Sequence, residues 1–347
     1  MGAAARRIRT IRRWRRTAGN DAGPPMIGPL QHERLLRGRR PHRVGRRIVL
    51  CGDVTSTNDE AWACLDDAAS DGTAVLAEYQ SQGRGRLGRR WESPRGASVM
   101  CSVLLVEPPV GALGGVEGGS SNSPTAGPAA AAAVSTDPAG GTGVVSLLAA
   151  IACYDAISRS SQVACQIQWP NDLVARGRKL AGVLIERRRV AGVGCAYVVG
   201  IGINCLQHAA HFDPAIREQA TSLDLESVRS IDRHRVARAL LDELDRWFGY
   251  ARPDEPGTVR RDWLRRAAPL GRRVRLRHDG ADFSGQVVDV DPLAHLVVQL
   301  DEGGRRLFQA DDTTVVHYGD REGSPRPDGP VGPAGATGGS TAGSERR

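Results

Sequence analysis

From Ile48 onward, short apolar blocks alternate with polar turns in a pattern that predicts an α/β fold. IVLCG (48–52), TAVLAEYQ (73–80) and ASVMCSVLLV (97–106) are strand-like, and CQIQWPND (165–172), KLAGVLIERR (179–188) and CAYVVGIGINC (195–205) continue the series. The last two are joined by RVAGVG (189–194), which suits a hairpin. Helical spacing follows the turn DVTSTN (53–58) through Glu60, Trp62 and Leu65, with Asp53, Thr55 or Ser56 as the cap. It returns from Val144 through Ile157, where Leu147, Leu148, Ile151 and Ala152 share a face, and over 233–250 and 257–267. Together these elements predict a mixed β-sheet packed with helices over residues 48–267.

At Pro269 the pattern changes. VRLRH, FSGQVVDVD, AHLVVQLD, RRLFQ and TTVVHY are short alternating strands with turn residues between them, as in a small barrel over 268–318. So short a module is marginal alone and is expected to dock on the main domain. Three stretches lack periodicity. Residues 1–47 carry Pro, Gly and Arg clusters and read as a disordered arm. Residues 107–143 are Gly, Ala, Pro and Ser and read as a flexible insertion, and 319–347 as a disordered tail. Both ends are expected to be dispensable for folding.

Charge adds one point. The 347 residues carry a net +8, but residues 1–47 hold fourteen Arg against Asp21 and Glu33, so the remainder sums to −4. The basic character belongs to the arm rather than the folded body. No apolar run approaches the roughly 18 residues of a membrane span, and the Arg-rich start has no apolar segment of a signal peptide behind it. The first serine is Ser56, which argues against a mitochondrial transit peptide. Seven cysteines without a CxxC pair, mostly among apolar neighbours, fit reduced thiols in the cytoplasm. The scattered histidines and cysteines offer no metal-ligand spacing.

Of 47 basic residues, 46 are Arg, and the single lysine is Lys179. Ammonium is a compact point charge and guanidinium a planar fork, so the position that kept Lys is a candidate for chemistry a fork cannot do. Gly83, Gly85 and Gly88 spell GxGxxG, yet Arg90, Trp91, Pro94 and Gly96 lead into a strand, whereas a dinucleotide fingerprint must open a helix. What remains is a mobile loop of Gly alternating with Arg84, Arg86, Arg89 and Arg90, suited to ordering on an anion. The turn at Arg176 and Gly177 would fold Lys179 back beside Asn171 and Asp172. Gly200 and Gly202 allow close approach to the backbone, and Asn204 ends that strand. Each feature alone also suits a solvated loop, an ordinary turn or a bulge; together they favour a phosphate-bearing ligand.

Ser56-Thr57-Asn58, SQGRGRLGRRW (81–91) after Gln80, Trp169-Pro170-Asn171-Asp172, RKLAG (178–182) and GIGIN (200–204) resemble the biotin protein ligases in order and spacing, over residues 48–318. The resemblance implies a class II synthetase-like catalytic domain followed by an SH3-like barrel. It implies a two-step reaction in which biotin and ATP, with Mg²⁺, give biotinyl-5′-AMP and pyrophosphate. Biotin then passes to a lysine of a biotin carboxyl carrier protein. Biotin would be bound by Ser56, Thr57, Asn58, Gln80, Gly83, Arg84, Gly85, Arg86, Lys179, Gly182 and Gly200. ATP would be bound by Arg86, Trp91, Asn171, Asp172, Lys179 and Asn204, with Asp172 and Asn204 as Mg²⁺ ligands. Lys179, Arg86 and Arg84 would be the catalytic cations.

Two departures stand out: Gln168 replaces the lysine the family usually carries before Trp169, and the arm is too short and polar to supply the DNA-binding winged helix of repressor members. A ligase-only enzyme, monomeric or homodimeric and without sequence-specific DNA or membrane binding, is expected. The alternatives are a lipoate or octanoyl ligase or transferase of the same fold, and a biotin-responsive DNA-binding regulator.

Overall fold

Side chains alternate across a strand, so a strand buried along its whole length needs cover on both faces. β3 (Ser98–Val106) is such a strand, at the centre of a seven-stranded sheet ordered β1-β2-β3-β7-β6-β5-β4. The computed structural model describes residues 28–66, 70–106, 140–190, 194–249, 258–267, 269–292, 294–310 and 312–321. β1 (Arg47–Val54) and β2 (Thr73–Gln80) run parallel, with α2 (Thr57–Trp62) between them in sequence. β4 (Gln166–Gln168), β5 (Asp172–Ala175), β6 (Arg178–Val190) and β7 (Gly194–Asn204) are antiparallel to their neighbours.

On one face, Val99, Cys101, Val103 and Leu105 join Val199, Ile201 and Ile203 under α3 (Gly140–Ser161), α5 (Arg233–Gly249) and α6 (Thr258–Ala267). On the other, Leu104, Val75, Ala196 and Val198 pack against Ala61 and Trp62 of α2. The same period of two places Met100, Ser102, Gly182, Glu186, Gly200, Gly202 and Asn204 on this second face, which becomes the floor of the site. The β5–β6 turn forms where expected, with Arg176 and Gly177 both at positive φ (48° and 77°).

Several expectations change. The arm does not extend to residue 47: within 28–46, Leu30, Leu35 and Val44 are buried, and α1 (His32–Leu36) packs on α5. The cause is pairing rather than periodicity. Arg39 meets Asp242 at 2.5 Å, Arg43 meets Asp71 at 2.7 Å, and Asp245 accepts the backbone N–H groups of His42, Arg43 and Val44 at 2.7–2.9 Å. α2 stops at Trp62, short of Leu65, with Ser56 as its cap. The strand expected over 165–172 is interrupted at Trp169, between β4 and β5.

α3 begins at Gly140, inside the expected insertion, and runs to Ser161. Contrary to the sequence reading, its Thr142–Ser161 stretch is long and apolar enough by composition to cross a membrane. Here that stretch is a core helix, with Val145, Ala149, Ile151, Ala152 and Cys153 inaccessible. β6 and β7 pair up to Val190 and Gly194, as the expected hairpin requires; residues 191–193 at its tip, most of the 107–143 insertion, and the outer parts of the arm and tail lie outside the described residues.

The C-terminal module is a five-stranded antiparallel sheet ordered β11-β10-β9-β8-β12. Its strands are β8 (Arg272–His278), β9 (Ala281–Asp291), β10 (His295–Leu300), β11 (Arg305–Gln309) and β12 (Thr313–Arg321). The last strand passes three residues beyond the expected end at 318. The module docks as expected: Arg260 donates to the Val290 carbonyl at 2.9 Å, and Arg272 to Gln166 at 3.0 Å.

None of the seven cysteines forms a disulfide, and burial pushes the thiols of Cys101, Cys165 and Cys205 up to about 12. Those three are inert structural thiols at neutral pH.

Because Leu35 is fully buried, Leu35→Ala is expected to lower stability by about 2–5 kcal/mol in urea unfolding. An unchanged midpoint would mean that the segment contributes nothing.

Candidate active site

Ser56 ends the β1–α2 turn in extended backbone, and its hydroxyl accepts the Asn58 N–H at 3.2 Å. This cap presents the start of α2 toward the sheet. The backbone N–H and the hydroxyl of Thr57 both donate to Gln80 Oε1, at 2.7 and 3.0 Å. Ser102 Oγ lies 2.7 Å from both Thr57 Oγ1 and Asn58 Oδ1. Asn58 donates to Glu186 at 2.9 Å, as does Trp62 Nε1 at 2.7 Å. Gly200 is required beneath this cluster, since a Cβ there would lie 2.4 Å from Asn58 Oδ1. The result is a fixed polar pocket with its donors and acceptors already oriented.

At the other end, the β5–β6 register sets Lys179 opposite Val174 and Asp172 opposite Gly182. The Lys179 ammonium sits 2.7 and 2.8 Å from the two oxygens of Asp172. Gly182 leaves room for both: a Cβ would come within 3.3 Å of Nζ and of Asp172 Oδ1. Asn171 donates to the Val183 carbonyl and accepts from Arg86 Nη1 at 3.3 Å. Asn204 donates to the Thr221 carbonyl and accepts from Gln207, both at 2.9 Å.

The segment between β2 and β3 roofs the floor. Trp91 N–H donates to the Gly83 carbonyl at 2.9 Å and Gly85 N–H to the Arg89 carbonyl at 2.7 Å. The Trp91 ring covers Gly202, where a Cβ would lie 2.5 Å from it. Arg84 and Arg86 diverge. Arg84 turns to Asp59 (2.7 and 2.9 Å) and Glu186 (3.0 and 3.2 Å) on the α2 side, while Arg86 reaches Asn171 and the Ala310 carbonyl of the barrel.

Most of these groups line one cavity of about 1210 Å³; Ser102, Asp59, Trp62 and Glu186 support its lining residues without lining it. Every expected site residue lines it except Gly83, which sits behind the roof with Trp91's carbonyl 2.3 Å from where its Cβ would be. Sequence reasoning missed Ser102, Glu186, Asp59 and the 205–226 segment, whose Thr221 N–H donates to the Lys179 carbonyl at 2.9 Å. Ser102 had a signal, a hydroxyl in an otherwise apolar buried strand; Glu186 did not, because it opens a run of arginines. Barrel residues Arg272 and Thr313 also line the cavity.

The carboxyl of Asp59 is held below the usual range by the Arg84 hydrogen bonds. For Glu186, burial pushes the carboxyl up, but hydrogen bonds from Asn58, Trp62 and Arg84 outweigh it and the net shift is downward. Arg84 is correspondingly raised by Asp59.

The biotin/lipoate A/B protein ligase family matches residues 52–112 and 130–204. The biotin–acetyl-CoA-carboxylase ligase of Mycobacterium tuberculosis is 32% identical over 283 residues, covering 79% of this chain and 88% of that protein. The chain belongs to the biotin protein ligase family. The bifunctional ligase/repressor of Bacillus spizizenii is 25% identical over 284 residues, covering 82% of this ligase and 79% of its relative. A biotin protein ligase from Aquifex aeolicus in complex with biotin and ATP shares the fold, with a TM-score of 0.57 at 20% identity over 78% of this chain and 98% of that one.

In this cavity Asp172 and Asn204 do not fit the expected role of a protein-held Mg²⁺ site. Asn204 is engaged at both ends of its amide, and Asp172 is a single carboxylate already offset by an ammonium.

Two outcomes are expected. Gly200→Ala displaces Asn58 and weakens binding at the α2 end by tenfold or more, roughly the loss of one or two buried hydrogen bonds, measurable by calorimetric titration with biotin. The Asp59 and Glu186 carboxyls have depressed pKa values, so their contribution to stability is complete above the usual carboxylate range. It is lost as pH falls through the depressed values. Melting curves from pH 7 to 2.5 should lose this contribution in Glu186→Gln.

Proposed function

We propose that this ligase activates biotin with ATP and transfers it to a protein lysine, with Lys179 at the point where the two anions meet. In the first step a biotin carboxylate oxygen forms a bond to the α-phosphorus, and the bond to pyrophosphate breaks. In the second, a deprotonated lysine amine of the acceptor attacks the acyl carbon; an amide forms, AMP leaves, and the amine proton goes to solvent. The acceptor is a biotin carboxyl carrier domain of acetyl-CoA carboxylase or a related carboxylase, and seven cysteines without a disulfide support a reducing compartment such as the cytoplasm.

The observation that carries this reading is the Lys179–Asp172 pair, at the end of a single cavity opposite the polar α2 cluster, with the Trp91 ring over Gly202 in the same cavity. Biotin's ureido ring suits Thr57, Asn58, Gln80 and Ser102, whose fixed dipoles match a flat polar head. The nucleotide suits the Trp91 face and the amides of Asn171 and Asn204. Bringing carboxylate and phosphate together is opposed by their mutual repulsion. A preorganised ammonium at the junction offsets it and stabilises the charge growing on the phosphoryl oxygens. Arg86, donating to Asn171, extends the positive field along the same edge. The roofing segment excludes water, which would otherwise hydrolyse the mixed anhydride before the acceptor arrives.

Lys179→Ala is expected to lower pyrophosphate release by about 10² to 10³ with the fold retained. Lys179→Arg is expected not to restore it, because a fork cannot occupy the space beside Gly182 and Asp172 as a point charge does. Wild-type protein with ATP, magnesium, a carrier domain and either biotin or lipoate, followed by intact mass, decides the substrate. A biotinyl mass increment supports the reading, and a lipoyl increment alone would overturn it.

A further inference from the structure

We propose that Glu186 and Asp59 are positioning residues which, through Arg84, clamp the β2–β3 segment over the α2 end of the cavity, so that biotin affinity and retention of the acyl-adenylate depend on them. The inference rests on the ligase reading above but concerns residues that reading does not use.

Arg84 was expected to bind biotin and to act as a catalytic cation. Its guanidinium instead takes Asp59 in a bidentate fork, Nη2 to Oδ1 at 2.7 Å and Nη1 to Oδ2 at 2.9 Å. From the other side Glu186 Oε1 lies 3.0 Å from Nη2 and 3.2 Å from Nε. Two carboxylates around one cation leave no surplus positive charge for a distant phosphate. Arg84 and Arg86, two residues apart, therefore do different work: Arg84 anchors the segment, and Arg86 faces the Lys179 end.

Glu186 makes this anchor informative about the pocket. The oxygen that holds Arg84 also accepts the Asn58 amide at 2.9 Å, and its second oxygen accepts Trp62 Nε1 at 2.7 Å. Asn58 in turn meets Ser102, and Ser102 meets Thr57. One carboxylate is thus shared between the pocket wall and its cover, so a displacement of Asn58 would disturb the Arg84 contact as well. Arg188 stacks on Trp62 at 4.3 Å and supplies a second cation beside the two acids. The fork geometry makes the clamp specific to arginine.

Glu186→Gln keeps the shape and an acceptor but removes the charge. Its biotin KM, from pyrophosphate release, is expected to rise about tenfold, as for loss of one charge-assisted hydrogen bond. The ATP KM should stay within about twofold, and biotinyl-AMP should dissociate about tenfold faster. The double variant Arg84→Gln/Glu186→Gln should cost less than the sum of the two single variants, because the Arg84–Glu186 contact is lost in each. Asp59→Asn tests the other jaw if Glu186→Gln folds poorly.

In ligand-free protein, trypsin should cleave after Arg86, Arg89 or Arg90 faster in Glu186→Gln than in wild type, a readout independent of activity. Equal rises in both KM values, or wild-type affinity, dissociation and proteolysis, would overturn the clamp. A wild-type enzyme that makes no adenylate would overturn the ligase reading instead, with the trypsin comparison still deciding the clamp.

Discussion

The site is organised by one charge pair. Lys179 and Asp172 project from adjacent antiparallel strands and meet at 2.7 Å beside a residue with no side chain. Their distance follows from the tight β5–β6 turn at Arg176 and Gly177, which fixes which residue lies across from which. A one-residue slip would send the ammonium through the sheet into the apolar layer under α3. The sheet register therefore sets the position of the charge, and the helices on the far face hold that register by burying Leu173, Leu180, Ala181 and Val183.

Around that pair the positive charges are sorted rather than pooled. An arginine-rich chain has many cations but needs few of them at the reacting centre. Arg84 is spent on Asp59 and Glu186, Arg178 on Glu226 at 2.6 Å, and buried Arg233 on Glu78 at 2.6 Å. Pairing fixes these side chains and limits the field that reaches the cavity. Neutralising the neighbours leaves the Lys179–Asp172 pair and Arg86 as the charges at the reacting centre.

Much of this was legible in the sequence, for identifiable reasons. The strands announced themselves because their apolar blocks are bounded by turn residues, and the β5–β6 turn placed Lys179 correctly beside Asn171 and Asp172. Segment 28–46 was not legible: three buried apolar residues are too few for a period, and the acids that neutralise Arg39 and Arg43 lie far along the chain. Glu186 read as part of a solvated charge run because only the fold reveals that its side chain faces Asn58 and Trp62. The course of Arg84 was misjudged for the same reason, since composition gives a side chain's charge but not its direction.

Asp245 gathers the backbone of His42, Arg43 and Val44 across a gap of about two hundred residues. The stretch translated early can meet Asp71 and Glu78 but cannot complete its docking until α5 has left the ribosome. A contact of such long range is costly to close and forms late. During synthesis this stretch waits, basic and incompletely paired, and its docking marks the completion of the catalytic domain.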